Sequence, residues 1–225
     1  MDELSDISAR LDEAGFLLLG GFYPQPDEEV PALDNGARPA MVLMVGSAGH
    51  DMWRKFAPWY HRYAGTDPLD TWTQEQLLPL ARDAGMSACF PFHGPPYWPF
   101  QRWANRCAPV WPSPLGIIVH HRYGLWHGLR AALLSHRRLP LPPPSVAENP
   151  CLTCREQPCL HACPVSAFDG TRYQVSACAQ HLGTADGEDC MNHGCAARRA
   201  CPIGQDTRYP LAQMRFHMSA FKRAH

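Results

Sequence analysis

At 225 residues, 45% of them hydrophobic, the chain is long enough for one sizeable domain and a smaller one. A formal net charge of -1 and a sequence pI of about 6.8 argue against a surface built to bind phosphate, so nucleic acid is not an expected partner. The opening MDELSDISARLDEAG lacks a basic stretch followed by an apolar one, and no segment has the apolar length that crosses a bilayer, which predicts a cytoplasmic protein with no membrane attachment.

In chain order, Leu4, Ile7, Leu11 and Ala14 fall on one helical face, and GFLLLGGFYP (15–24) reads as a short buried strand ended by a Pro-rich turn. PAMVLMVGS (39–47) is a second strand, and 50–65 a helix interrupted near Pro58. Thr73 and Gln76 have the spacing of a capping box for a helix ending near Asp83. MSACFPF (86–92) reads as a buried strand and is followed by the aromatic, Pro-rich HGPPYWPFQRWANR. PLGIIVHHRYGLWHGLRAALLS (114–135) reads as two apolar strands joined at His121 to Gly124, hence a hairpin. Five prolines in RRLPLPPPSVAENP (137–150) make an extended, semi-rigid connector. The expectation is an α+β domain over 1–145 with a mostly antiparallel sheet, then a small domain over 146–225 that ends in an amphipathic helix.

Ten cysteines would suit a disulfide scaffold in a small exported chain; in this one they point to metal ligation. Eight lie between Cys151 and Cys201, and only Cys89 and Cys107 lie outside, where a thiol beside apolar residues behaves as a small hydrophobe. Cys151-x2-Cys154-x4-Cys159-x3-Cys163-Pro164 keeps the order of the bacterial two-cluster ferredoxin run with two extra residues before the third thiol. Cys178, Cys190, Cys195 and Cys201 form a second set, again closed by proline. Two sets of four suit two [4Fe-4S] cubanes. Three thiols on a tight loop clasp one cluster while the fourth points away. Cys151, Cys154, Cys159 and Cys201 are therefore assigned to one cluster, and Cys163, Cys178, Cys190 and Cys195 to the other. Structural zinc is the alternative, since His161, His181 and His193 lie among the thiols, but paired C-x2-C knuckles are typical of zinc and only one occurs.

Two cubanes without a G-x-G-x-x-G or P-loop fingerprint move electrons, fed by a low-potential donor such as a flavoprotein or a ferredoxin. A free-standing carrier needs little beyond the cysteine segment, so the preceding domain should hold a second redox centre or dock a partner. LPLPPPSVAENPCLTC, CPVSAF, RYQVSACAQHL and DCMNHGCAARRACPIG resemble the iron-sulfur module of epoxyqueuosine reductase and, more distantly, of reductive dehalogenases. In those families the module feeds a cobalamin held by the preceding domain.

TDPLDTWTQEQLLPLARDAG and LGIIVHHRYGLWHGLRAALLSHRRLPLPPP are similar to the cobalamin-processing, decyanating and dealkylating enzyme of the CblC type. His120 matches that family's histidine, Tyr123 and Gly124 its turn, Trp126 its tryptophan and Arg130 its arginine, with His121, Leu125 and His127 as departures. Both resemblances imply a nitroreductase-like α+β fold and one cofactor, cobalamin. A corrin takes a wide, mostly apolar slot with a few polar groups, which PFHGPPYWPFQRWANR offers with its aromatic walls and with His93, Gln101 and Arg102. Trp98, Trp103, Trp111 and Trp126 read first as core residues. Arg130, within an apolar strand, needs an anionic or carbonyl partner. The resulting expectation is an iron-sulfur oxidoreductase that passes electrons to cobalamin, either to remove the cobalamin's upper ligand or to reduce a small substrate, with Tyr123 as proton donor. The alternatives are a ferredoxin-type carrier whose front domain docks a redox partner, and a zinc-stabilised interaction module.

Overall fold

The computed structural model describes residues 2–225. In chain order it contains α1 (Glu3–Glu13), β1 (Leu17–Phe22), β2 (Met41–Ala48), α2 (Asp51–Tyr60), α3 (Pro68–Asp83), β3 (Ser87–Cys89), α4 (Phe100–Cys107), β4 (Val110–Pro112), β5 (Ile118–His120) and β6 (His127–Ser135). Short helices follow: α5 (Pro150–Thr153), α6 (Pro158–His161), α7 (Val175–His181), α8 (Glu188–His193) and α9 (Ala196–Arg199), and then the longer α10 (Leu211–Ala224). None of these helices is long and apolar enough to cross a membrane.

The chain divides into two compact units. One runs to Pro109 and resumes over His127–Val146; the other joins Val110–Trp126 to Ala147–His225. The last break, at Val146, falls within the Pro-rich stretch. The assignment of 110–126 to the front domain is corrected, and the reason is burial. Leu115, Val119 and Leu125 belong to the same apolar core as Cys159, Ala167, Phe168, Ala197 and Cys201.

The first unit is α+β, built on a four-stranded antiparallel sheet in the order β1-β2-β6-β3. MVLMVGS in β2 is buried residue after residue because the strand is central and covered on both faces. Ile7 and Leu11 of α1, Met52 and Phe56 of α2, and Trp72, Leu77 and Leu80 of α3 supply the rest of the core. Asp2 caps α1 by accepting the Ser5 amide at 2.8 Å. α3 begins at Pro68 instead of near Thr73, so the expected capping box is absent. Thr73 is fully buried and its hydroxyl donates to the Leu69 carbonyl at 2.7 Å. The expected hairpin over 114–135 is also corrected. β5 pairs with β4 in a separate two-stranded sheet, while β6 pairs with β2 and β3. The apolar run had the right strands but said nothing of their partners.

Candidate functional site

In the second unit, short helices and the loops between them present the eight thiols. Asn149 starts α5, its side-chain oxygen accepting the Cys151 amide at 3.0 Å, and Pro150 occupies the first turn, where its missing N–H costs nothing. Cys159 lies in α6, Cys178 in α7, Cys190 in α8, and Cys195 immediately before α9. After Cys163 the chain turns back through a Ser166 amide to Cys163 carbonyl bond of 3.1 Å, and the Ala167 amide donates to Cys163 Sγ at 3.3 Å. These loops close around a core of Cys159, Ala167, Phe168, Ala197 and Cys201, against which Cys151, Cys163, Cys178 and Cys195 pack.

Electrostatics sorts the thiols into two sets. Burial pushes the Cys151 thiol up to about 11, helped by the charges of Cys201, Cys159 and Cys154. Burial likewise raises Cys159, with Cys201 and Cys154 adding to it, and raises Cys201, with Cys154 adding to it. In the other set burial raises Cys178, with Cys163 and Cys190 among the further causes, and pushes Cys195 up to about 11, with Cys190 and Cys178 contributing. Backbone amides oppose these shifts, that of Ile203 at Cys201 and those of Arg198 and Ala197 at Cys195. Thiolates gathered in this way repel one another, and a cationic core bound between them relieves that repulsion. Among the described residues, no group of three or more His, Cys, Asp or Glu side chains is placed so that it could hold a metal ion. His161 and His193 are exposed, and His193 Nδ1 sits 3.0 Å from Asp189.

The His120 turn lies in this same unit. His120 and Gly124 exchange backbone hydrogen bonds of 2.8 and 2.9 Å. The Arg122 and Tyr123 amides donate to His120 Nδ1 at 3.0 and 3.3 Å. Nδ1 is thereby the acceptor and Nε2 carries the proton. Burial, followed by the charges of His121 and Arg122, lowers the ring's pKa to about 4, so it is neutral at pH 7. The turn rests backbone to backbone on the loop after Cys201: a Cβ on Gly124 would stand 2.1 Å from the Ile203 carbonyl oxygen, and one on Gly204 2.4 Å from that of Tyr123. The Tyr123 ring lies 4.5 Å from the His120 ring.

Trp126 is 1% exposed and its indole N–H has no hydrogen-bond partner. The Arg198 guanidinium lies 4.7 Å from the Trp126 ring centre and 4.6 Å from that of Tyr209. Its Nε donates to the Leu125 carbonyl at 2.9 Å. Sequence reasoning missed Arg198, although an arginine in the Ala-rich CAARRAC is a charge in need of a partner. Gln213 of α10 is fully buried with neither amide atom bonded to protein, a further demand for a partner.

In the first unit, Arg130 Nε donates to the buried Ser47 hydroxyl at 3.3 Å. Burial raises the Asp70 carboxyl while the charges of Arg130 and of the exposed His93 act to lower it, so half-buried Asp70 lies within electrostatic reach of both. Asp70 is an acid within electrostatic reach of Arg130. No spacing betrays it, because its partner lies sixty positions away on another element. Gln101 and Arg102 are exposed on α4, a helix that the Pro-rich reading missed, and Arg102 pairs with Glu29 at 3.5 Å. Burial holds the Cys89 and Cys107 thiols protonated, each pushed up to about 12.

No family model matches the chain, and no curated protein does. Among solved structures, the C. elegans B12-trafficking protein CblC superposes with a TM-score of 0.52 over 98% of this chain and 96% of its own, at 14% identity. The fold is similar to that of CblC. The epoxyqueuosine reductase of Streptococcus thermophilus superposes with a TM-score of 0.54 over 94% of this chain and 68% of its own, at 17% identity. Like CblC it shares the α+β architecture, and at these identities the likeness concerns the fold.

Proposed function

We propose that the chain is an iron-sulfur oxidoreductase of two parts, a cobalamin-binding α+β unit and a ferredoxin-like unit with two [4Fe-4S] clusters, acting in reductive cobalamin processing or cobalamin-dependent reduction of a small substrate. The observation that carries the reading is the sorting of the thiols: Cys201 joins Cys151, Cys154 and Cys159, while Cys163 joins Cys178, Cys190 and Cys195. This is the crossed membership that two cubanes require.

When bound, the clusters and the corrin supply the one-electron chemistry. The chain's residues hold and tune them: backbone amides stabilise the thiolates, and the apolar core keeps water away. Arg130, Asp70 and His93 are the groups best suited to meet a polar ligand in the first unit, a corrin side-chain amide or a co-substrate. The roles of the two structural relatives, B12 trafficking and epoxyqueuosine reduction, support cobalamin and reductive chemistry.

The second reading is a ferredoxin-type carrier whose first unit docks a redox partner. It is favoured by one observation. His120, Gly124 and Trp126, three of the residues expected to meet cobalamin, make contacts within the second unit.

Titration of anaerobic, cluster-loaded protein with hydroxocobalamin separates the two. The oxidoreductase reading expects a base-off shift of the corrin bands, and binding weakened by about 1.5–3 kcal/mol in Arg130→Ala, the loss of a charged hydrogen bond. Spectra and calorimetry that show no interaction in either oxidation state of the clusters leave the carrier reading standing.

A further inference from the structure

The basic residues of the second unit do not all have acids to meet. Residues 189–223 carry six arginines and lysines against two aspartates, and one of these, Asp189, is already bonded to Arg199 and His193. Arg208 and Arg215 are exposed, and among the described residues neither has a carboxylate partner. Neutral oxygens pin both instead. Arg208 donates to the Arg199 carbonyl at 2.9 Å and to the Gln205 side chain, and Arg215 donates to the Asn192 carbonyl at 3.1 Å. Leu211, one turn ahead of Arg215 on the same face of α10, is 48% exposed. An exposed apolar residue flanked by pinned arginines is the anatomy of a protein interface. The same segment runs to the thiols through hydrogen bonds. Gln205 donates to the Cys201 carbonyl and, at 3.3 Å, to that of Arg199. Arg199 Nε donates to the Gly194 carbonyl at 3.1 Å, and the Gly194 amide to the Cys190 carbonyl at 3.0 Å. The patch is thereby a few hydrogen bonds from a cysteine of each set. Leu152, 82% exposed between Cys151 and Cys154, offers a rival face, but residues 148–156 hold one arginine against two glutamates and so carry no positive excess.

We propose that Leu211, Arg208 and Arg215 form the docking surface of the electron donor, a small acidic ferredoxin. The inference rests on the iron-sulfur reading and deepens it by naming the partner's class and its seat. Carboxylates on such a donor meet arginines that lack them, and the positive field steers the encounter. Once docked, the donor's reduced cluster loses one electron and a cubane of this chain gains it, with no bond made or broken and no proton moved. A flavin donor that sheds a proton fits the surface less well, because two arginines and a leucine have no group that takes one. Nucleic acid offers phosphates to the arginines but brings no electron to the thiol sets beside them.

The test is stopped-flow reduction of the anaerobically reconstituted full chain by a pre-reduced plant-type [2Fe-2S] ferredoxin, an acidic protein, with iron and sulfide measured on every variant. Removing two charges, in Arg208→Gln with Arg215→Gln, should slow the second-order step about tenfold at low salt, and added salt should erase most of the difference from wild type. Arg208→Lys with Arg215→Lys keeps the charge and should stay near the wild-type rate. Arg155→Glu makes the same change in net charge on the rival face and should leave the rate as it is. Leu211→Ser breaks no side-chain hydrogen bond, and it should slow transfer while keeping the wild-type salt dependence. It decides the matter if the glutamine pair fails to load iron. A wild-type rate in the loaded glutamine pair or in Leu211→Ser overturns the inference, as does a slow lysine pair, an equal loss in Arg155→Glu, or a loaded chain that the ferredoxin does not reduce. An RNA hairpin bound by wild type and released by the glutamine pair assigns the surface to nucleic acid and overturns it too. Wild-type protein without iron and sulfide overturns the iron-sulfur reading itself, and the inference with it.

Discussion

Gly124→Ala is expected to cost the second unit about 2–5 kcal/mol and to strip iron from the cluster that includes Cys201. Two effects add. Gly124 has φ +54, a left-handed conformation that costs a residue with a Cβ about 1–2 kcal/mol. The added Cβ would also stand 2.1 Å from the Ile203 carbonyl oxygen, and this is backbone that cannot rotate away, so the loop after Cys201 has to shift, at about 1–3 kcal/mol by analogy with overpacked cores. Gly116→Ala separates the two terms within the same unit, because Gly116 has φ +76 but open space around its Cβ position. It should show the conformational cost alone and keep its iron. Chemical unfolding of both variants, with iron content alongside, checks this. A Gly124→Ala protein as stable and as loaded as Gly116→Ala would mean that the His120 turn is no seat for the Cys201 loop.

Cys201→Ser should disturb the same EPR signal as Cys154→Ser, and Cys163→Ser the same signal as Cys190→Ser. The expected loss in each is one cluster of two, from about eight iron atoms per chain to about four. The grounds are the pairings of Cys201 with Cys154 and of Cys178 with both Cys163 and Cys190, although Cys201 is far closer in sequence to Cys195 than to Cys154. Cys89→Ala and Cys107→Ala lie in the first unit and should leave both signals intact. A Cys201→Ser protein whose altered signal is that of Cys190→Ser contradicts the crossed assignment.

The gathering of eight cysteines in one unit was legible because their spacing in the sequence is local. The antiparallel sheet was legible for a similar reason, through the apolar runs of β1, β2 and β6. What could not be read was the partner of each element. VHHRYGLWHG carries two strands that join different sheets, and nothing in its periodicity distinguishes that from a hairpin. His120, Gly124 and Trp126, which the family resemblance assigns to cobalamin, have places in the fold that no periodicity shows: His120 Nδ1 holds a turn, the bare face of Gly124 admits the Ile203 carbonyl, and Trp126 is a platform for Arg198. Asp70 was invisible because an acid in a helix's first turn is ordinary until its distant neighbours are known.

The central claim is that the two thiol sets hold iron-sulfur clusters. Its most direct test is metal and acid-labile sulfide analysis of the full chain after anaerobic reconstitution, with the optical spectrum before and after dithionite. The account predicts about eight iron and about eight sulfide per chain, and a brown protein whose broad absorption bleaches on reduction. Stoichiometric zinc with little sulfide, in a colourless protein, would contradict it.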